Sequence, residues 1–101
     1  MSDKLDAAQI ASALAQLPGW AHEDDAISRS YTVTGFPDAV ALVTRLAFDA
    51  EAADHHPDLR IEYRRLTVRF WTHTAGGVTQ QDVNGALRAD RIVAPFIAPD
   101  R

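Results

Sequence analysis

The chain has no cysteine among its 101 residues, which removes disulfides, thiolate nucleophiles and cysteine-ligated zinc or iron–sulfur centres from consideration. That absence fits a reducing compartment. No apolar run approaches the roughly 20 residues needed to span a bilayer. The stretch from Met1 to Leu17 lacks a basic segment followed by an apolar one, so no signal peptide is expected. Together these absences lead to the expectation of a soluble, cytoplasmic chain without a membrane partner. A basic excess is missing too, the formal net charge being −4. Nucleic-acid binders concentrate positive charge on one face. The nearest candidate here, Arg60, Arg64, Arg65 and Arg69, is interrupted by Asp58 and Glu62. It reads as solvated charge on two strands and their turn, and no direct nucleic-acid partner is expected.

What is present suffices for one domain over residues 1–101, with no repeat, low-complexity tract or linker to divide it. A hydrophobic content of 47% places the chain well above disordered compositions. A domain this small has little core to spare, which favours sharing stability with partner subunits.

Hydrophobic periodicity sets the element order. Ile10, Leu14 and Leu17 at helical spacing predict a helix over about Leu5 to Leu17, stopped by Pro18-Gly19. Trp20 opens a strand, and Glu23-Asp24-Asp25-Ala26 reads as a hairpin turn into a second strand from Ile27 to Val33. Gly35-Phe36-Pro37 starts the longest helix, with proline tolerated in the first turn. Its predicted core stripe is Val40, Val43, Leu46 and Ala50, widened by Leu42 and Ala47. Pro57 requires this helix to end near Asp54-His55-His56. Two strands follow, with Leu59, Ile61 and Tyr63 on one face of the first and Leu66, Val68 and Phe70 on one face of the second, linked at Arg64-Arg65. Thr79 and Asp82 have capping-box spacing, and the last helix runs to about Ala94. The expected class is α+β: a four-stranded antiparallel sheet with three helices on one face, in the order α-β-β-α-β-β-α.

Histidine exchanges protons near neutrality, its unperturbed pKa being about 6.5. His55, His56 and His73 all fall at element ends, whereas His22 has no companions and reads as surface. Adjacent helical residues point roughly 100° apart, so His55 and His56 share a pocket only if the helix breaks beside them. Glu51, four residues before His55, lies on the same helical face. A carboxylate there, together with the negative end of the helix dipole, favours a protonated imidazole, which suits a proton donor. Each residue also has a plain structural explanation. Histidines cap helix ends, Glu51–His55 is an ordinary surface pair, Asp82 caps a helix, and His73 is an exposed strand end. A metal is not expected, because a zinc-binding helix places two histidines four residues apart on one face and these are adjacent.

The combined pattern Glu51-x3-His55-His56-Pro57-x5-Tyr63-x9-His73-x8-Asp82 resembles the signature of pterin-4a-carbinolamine dehydratases. Gly19-Trp20, Phe36 and Asp54 agree with it, and the likeness extends from about Leu5 to Ile97. The resemblance implies dehydration of 4a-hydroxytetrahydropterin to quinonoid dihydropterin and water, without a cofactor, in recycling of tetrahydrobiopterin used by aromatic amino-acid hydroxylases. It further implies a homodimer or homotetramer. By the same carry-over His55 and His73 form the acid/base pair, His56 also orients substrate, and Glu51 and Asp82 support the imidazoles. Asp54 joins His56 among the substrate-binding positions.

Two positions depart from the family pattern. Leu59 stands where tryptophan is common, and Trp71 where a small polar residue is usual. Strand alternation places Trp71 on the face of His73, where it supplies aromatic surface to the substrate site or to a subunit contact. Two other functions compete: a non-catalytic dimerisation or assembly factor on the same fold, and a metal-dependent hydrolase. The intact histidine set favours the enzyme.

Overall fold

The computed structural model describes residues 3–99. Its order is α1 (Ala7–Leu14), β1 (Ala21–Glu23), β2 (Ala26–Thr32), α2 (Phe36–Ala53), β3 (Asp58–Glu62), β4 (Arg65–Phe70) and α3 (Gln80–Val93), followed by a 3-10 turn at Ala94–Phe96. The strands form one antiparallel sheet in the order β1-β2-β4-β3. This is the expected α+β architecture, with the helices covering one face of the sheet.

Alternation decides which side chains meet them. Ile27 and Tyr31 of β2 pair across the sheet with Phe70 and Leu66 of β4, and all four are buried. Leu59 and Ile61 extend the same face at the β3 edge, partly buried against the core. The opposite face carries the polar positions. There Ser30 bonds Thr67, Arg69 pairs with Asp58, and Glu62 accepts from both Arg60 and Arg65. The Arg65 guanidinium, seconded by Arg60, holds the exposed Glu62 carboxyl below its ordinary range. Three of the four arginines of the cluster thus pair with its two carboxylates.

Several boundaries differ from the sequence reading. Asp6 and Gln9 form a capping box that starts α1 later than Leu5, and Leu17 is buried beyond its end. The core side of α2 is Ala39, Leu42, Leu46 and Ala50, whereas Val40 and Ala47 face outward. Tyr63 does not continue the face of Leu59 and Ile61. It occupies the two-residue turn between the paired Glu62 and Arg65, in a left-handed conformation (φ 54°), and is exposed.

One polar network the sequence did not reveal locks α3 to the sheet. Asp90 Oδ1 accepts hydrogen bonds from Trp20 Nε1 (3.0 Å), Arg29 (3.0 Å) and the Tyr31 hydroxyl (2.5 Å). Burial first, then the Asp90 carboxylate, pushes the Tyr31 phenol far above its ordinary range. Below the phenol's usual value near 10, folded and unfolded states both keep the proton, and the contribution to stability is complete. Above it only the unfolded chain ionises, so stability falls with pH, by at most about 1.4 kcal/mol per unit. Urea denaturation should therefore show the stability gap between wild type and Tyr31→Phe narrowing above about pH 10. A constant gap would contradict this account of the phenol.

Candidate active site

The site begins where α2 stops. Asp54 takes a left-handed conformation (φ 51°), a region that short polar side chains tolerate. The amide of His55 bonds back to the Ala50 carbonyl at 3.1 Å and that of Asp54 to Glu51 at 3.2 Å. These two bonds are the pattern of a Schellman stop. The chain thus leaves the helix before Pro57, and the adjacent histidines no longer obey helical spacing. His55 turns inward and His56 stays at the surface.

His55 Nε2 lies 2.5 Å from Asp82 Oδ1, the imidazole being 11% exposed and the carboxylate 0%. Asp82 Oδ2 accepts from the Thr72 hydroxyl and from the Thr79 amide, each at 2.8 Å. Thr79 is the N-cap of α3, so Asp82 completes the capping box and anchors the imidazole with the same carboxylate. Asp82 thus caps α3, as its spacing predicted, and also contacts the His55 ring. A buried carboxylate accepting from one ring nitrogen fixes the imidazole tautomer and stabilises the imidazolium when it forms. Asp82 thus engages Nε2 and not Nδ1. The ring lies parallel to Phe70, with centroids 5.9 Å apart and planes 8° apart. Phe70 is in turn pressed against Gly85, where an added Cβ would stand 2.6 Å from the ring.

Glu51 serves a different histidine from the one its spacing suggested. Its Oε1 is 2.8 Å from His56 Nε2, and both side chains are exposed. The i, i+4 expectation assumed a helix continuing through His55; the turn at Asp54 gives His55 to Asp82 and His56 to Glu51. His73 stands on a short loop closed by the Thr72–Gly77 bridge, in which Gly76 supplies the left-handed residue (φ 69°). The ring of His73 stacks on Trp71 at 3.9 Å.

These pieces border one cleft of about 460 Å³, lined by Asp54, His55, His56, Trp71, Thr72, His73, Thr74 and Gln81. Its size lies within the range of small-molecule pockets. The cleft gathers the three histidines, Asp54 and Trp71. Asp82 stands behind His55, and Glu51 stands behind His56. Sequence reasoning missed Thr72, Phe70 and Gln81. Thr72 carries no signal of its own, and Phe70 read only as core. Among the described residues no three His, Asp or Glu side chains are grouped as metal ligands, and no helix is long and apolar enough to cross a membrane.

The arrangement defines an α+β domain with an imidazole-lined cleft. Residues 3–92 match the sequence profile of the pterin 4 alpha carbinolamine dehydratase family, and the chain belongs to that family. A relative from Chloroflexus aurantiacus is 46% identical over 90 residues, covering 89% of this chain and 97% of its own. One from Nocardia farcinica is 46% identical over 84 residues, covering 83% and 88% respectively. Both carry the name pterin-4-alpha-carbinolamine dehydratase provisionally. Among solved structures, a transcriptional coactivator/pterin dehydratase from Brucella melitensis superposes with a TM-score of 0.85 at 34% identity, covering 89% of this chain and 98% of that one.

Proposed function

We propose that the chain dehydrates 4a-hydroxytetrahydropterins, tetrahydrobiopterin-derived ones included, to the quinonoid dihydropterin. The observation that carries this reading is His55 anchored on buried Asp82 in a cleft shared with His56 and His73. The C4a–O bond breaks as a proton reaches the departing oxygen, the N5 proton is removed, and an N5–C4a double bond forms. Water is the only other product, so nothing is oxidised or reduced and no redox cofactor is required. His55 gives the proton to the hydroxyl, because Asp82 stabilises its imidazolium. His73 takes the N5 proton. His56, steadied by Glu51, orients the substrate and assists transfer, while Asp54 and Trp71 border the bound ring. The cellular role is regeneration of the cofactor of aromatic amino-acid hydroxylases, in the cytoplasm.

The test is a spectrophotometric dehydration assay on chemically generated 4a-hydroxytetrahydropterin. Wild type should accelerate loss of water by several orders of magnitude; a rate equal to that in buffer overturns the reading.

The same reading includes assembly as a dimer or tetramer. It is supported by the outward side of α2, where Phe36, Val40 and Phe48 are 49%, 43% and 75% exposed. These lie at helical spacing beside Ala47, an apolar stripe unusual for an isolated subunit. Light scattering should find an oligomer, and Phe48→Glu should reduce its mass without unfolding the chain. A wild-type monomer at micromolar concentration would contradict this part of the proposal.

A further inference from the structure

At the end of β4 two consecutive aromatic residues point to opposite sides of the sheet, and each carries one imidazole. Phe70 backs His55 from the core side, and Trp71 carries His73 on the polar side. The first mount is buried and held by Gly85. The second is built at the surface.

His73 is exposed on a loop, where an imidazole ordinarily samples several rotamers. Its backbone is fixed by the Thr72 amide bonding Gly77 at 2.9 Å, but that does not orient the ring. The Trp71 face, 3.9 Å away and inclined by 27°, does. The Arg69 guanidinium lies 5.7 Å from the Trp71 centroid, within cation–π range. Arg69 is itself tied to Asp58 at 3.0 Å, across a register pair of β3 and β4. Asp58, Arg69, Trp71 and His73 therefore form a continuous line along the outer face of the sheet to the cleft.

We infer that Trp71 is a positioning residue for His73, with Arg69 and Asp58 steadying the indole from behind. This deepens the dehydratase reading and rests on it. Trp71 still borders the cleft, but the stack gives it an additional task. A wall for substrate and a mount for a catalytic group differ in kinetics. Losing a wall weakens binding, so KM rises; losing a mount leaves substrate bound beside a misdirected imidazole, so kcat falls.

The decisive comparison is Trp71→Leu against Trp71→Phe. Trp71→Leu should lower kcat about tenfold or more, with KM changed less than about twofold. Trp71→Phe, which keeps a flat ring, should recover most of the loss. A rise in KM with kcat unchanged, or equal defects in both variants, overturns the inference. A second readout needs no turnover. In carbon–proton NMR spectra the His73 ring protons, assigned by their disappearance in His73→Gln, should be displaced upfield by the indole ring current. They should return toward ordinary positions in Trp71→Leu. If they do not move between wild type and Trp71→Leu, the stack does not exist in solution and the inference fails. Were wild type to show no dehydration at all, the dehydratase reading would fall, while the ring-current result would still decide whether Trp71 holds His73.

Discussion

Asp82→Ala is expected to cost about 3 kcal/mol or more of stability and to abolish most of the activity that survives in folded protein. The carboxylate is fully buried and accepts from three donors: the Thr72 hydroxyl, the Thr79 amide and the His55 ring. Alanine leaves all three without their acceptor, at roughly 1–3 kcal/mol for each buried group that finds no water. It also opens the capping box of α3. Asp82→Asn separates the two consequences. It preserves the volume but replaces one acceptor oxygen with an NH2 that faces a donor. Its stability should lie between wild type and Asp82→Ala, while its kcat should approach that of Asp82→Ala. Urea denaturation and kcat measured on the same preparations check both. An Asp82→Asn protein with wild-type kcat would show that the His55–Asp82 contact has no catalytic meaning.

Phe70→Ala should destabilise the chain by about 3–5 kcal/mol, as large-to-small changes of buried aromatics do. The Phe70 ring is 2% exposed, lies 6.2 Å from Trp20 and backs His55 on its other side. α3 approaches the ring through Gly85, which has no side chain to fill the vacated space. Phe70→Leu keeps most of the volume and loses the flat surface, so it should cost nearer 1 kcal/mol. Its kcat should fall further than that modest loss of stability explains, since the His55 ring would no longer be confined to one plane. Denaturation midpoints for the pair, with kcat for Phe70→Leu, supply the comparison. Equal stability of wild type and Phe70→Ala would contradict the packing described here.

Much of this fold was legible because its strands alternate cleanly. Leu66, Val68 and Phe70 repeat with period two between polar partners, and all three are buried. Thr79 and Asp82 announced the start of α3, and Pro57 bracketed the end of α2. Two of the misreadings share a cause: periodicity says nothing about single residues in the left-handed region. Tyr63 extends an alternating run, yet it adopts positive φ, which sequence pattern disfavours for an aromatic residue. Asp54 does the same after α2, and that one turn redistributed the carboxylates between His55 and His56. The core side of α2 was ambiguous for another reason. Apolar residues line two sides of that helix, and only packing chooses Ala39 over Val40.

The candidate site was legible as residue types and less so as partnerships. Three histidines at element ends, three carboxylates and Trp71 were all visible in the sequence. The pairing of His55 with Asp82 could not be read from spacing, because Asp82 lies on α3, 27 residues away. Only the family resemblance pointed to Asp82 as a support for the imidazoles. Phe70 gave no sign of lying against His55, since a buried strand phenylalanine already has a sufficient explanation in the core. The Trp71–His73 stack was half visible: alternation put both on one face, but only the loop closed by Gly77 brings the rings together.

The central claim is that imidazoles of this cleft move the protons of a pterin dehydration. Its most direct test is the initial rate of dehydration of 4a-hydroxytetrahydropterin by wild type, His55→Ala and His73→Ala, with each variant first shown to be folded by circular dichroism. General acid–base catalysis by a positioned side chain is worth about 10²–10⁴-fold, so each single variant should lose at least about a hundredfold in kcat relative to wild type. Wild-type rates from both variants would contradict the account.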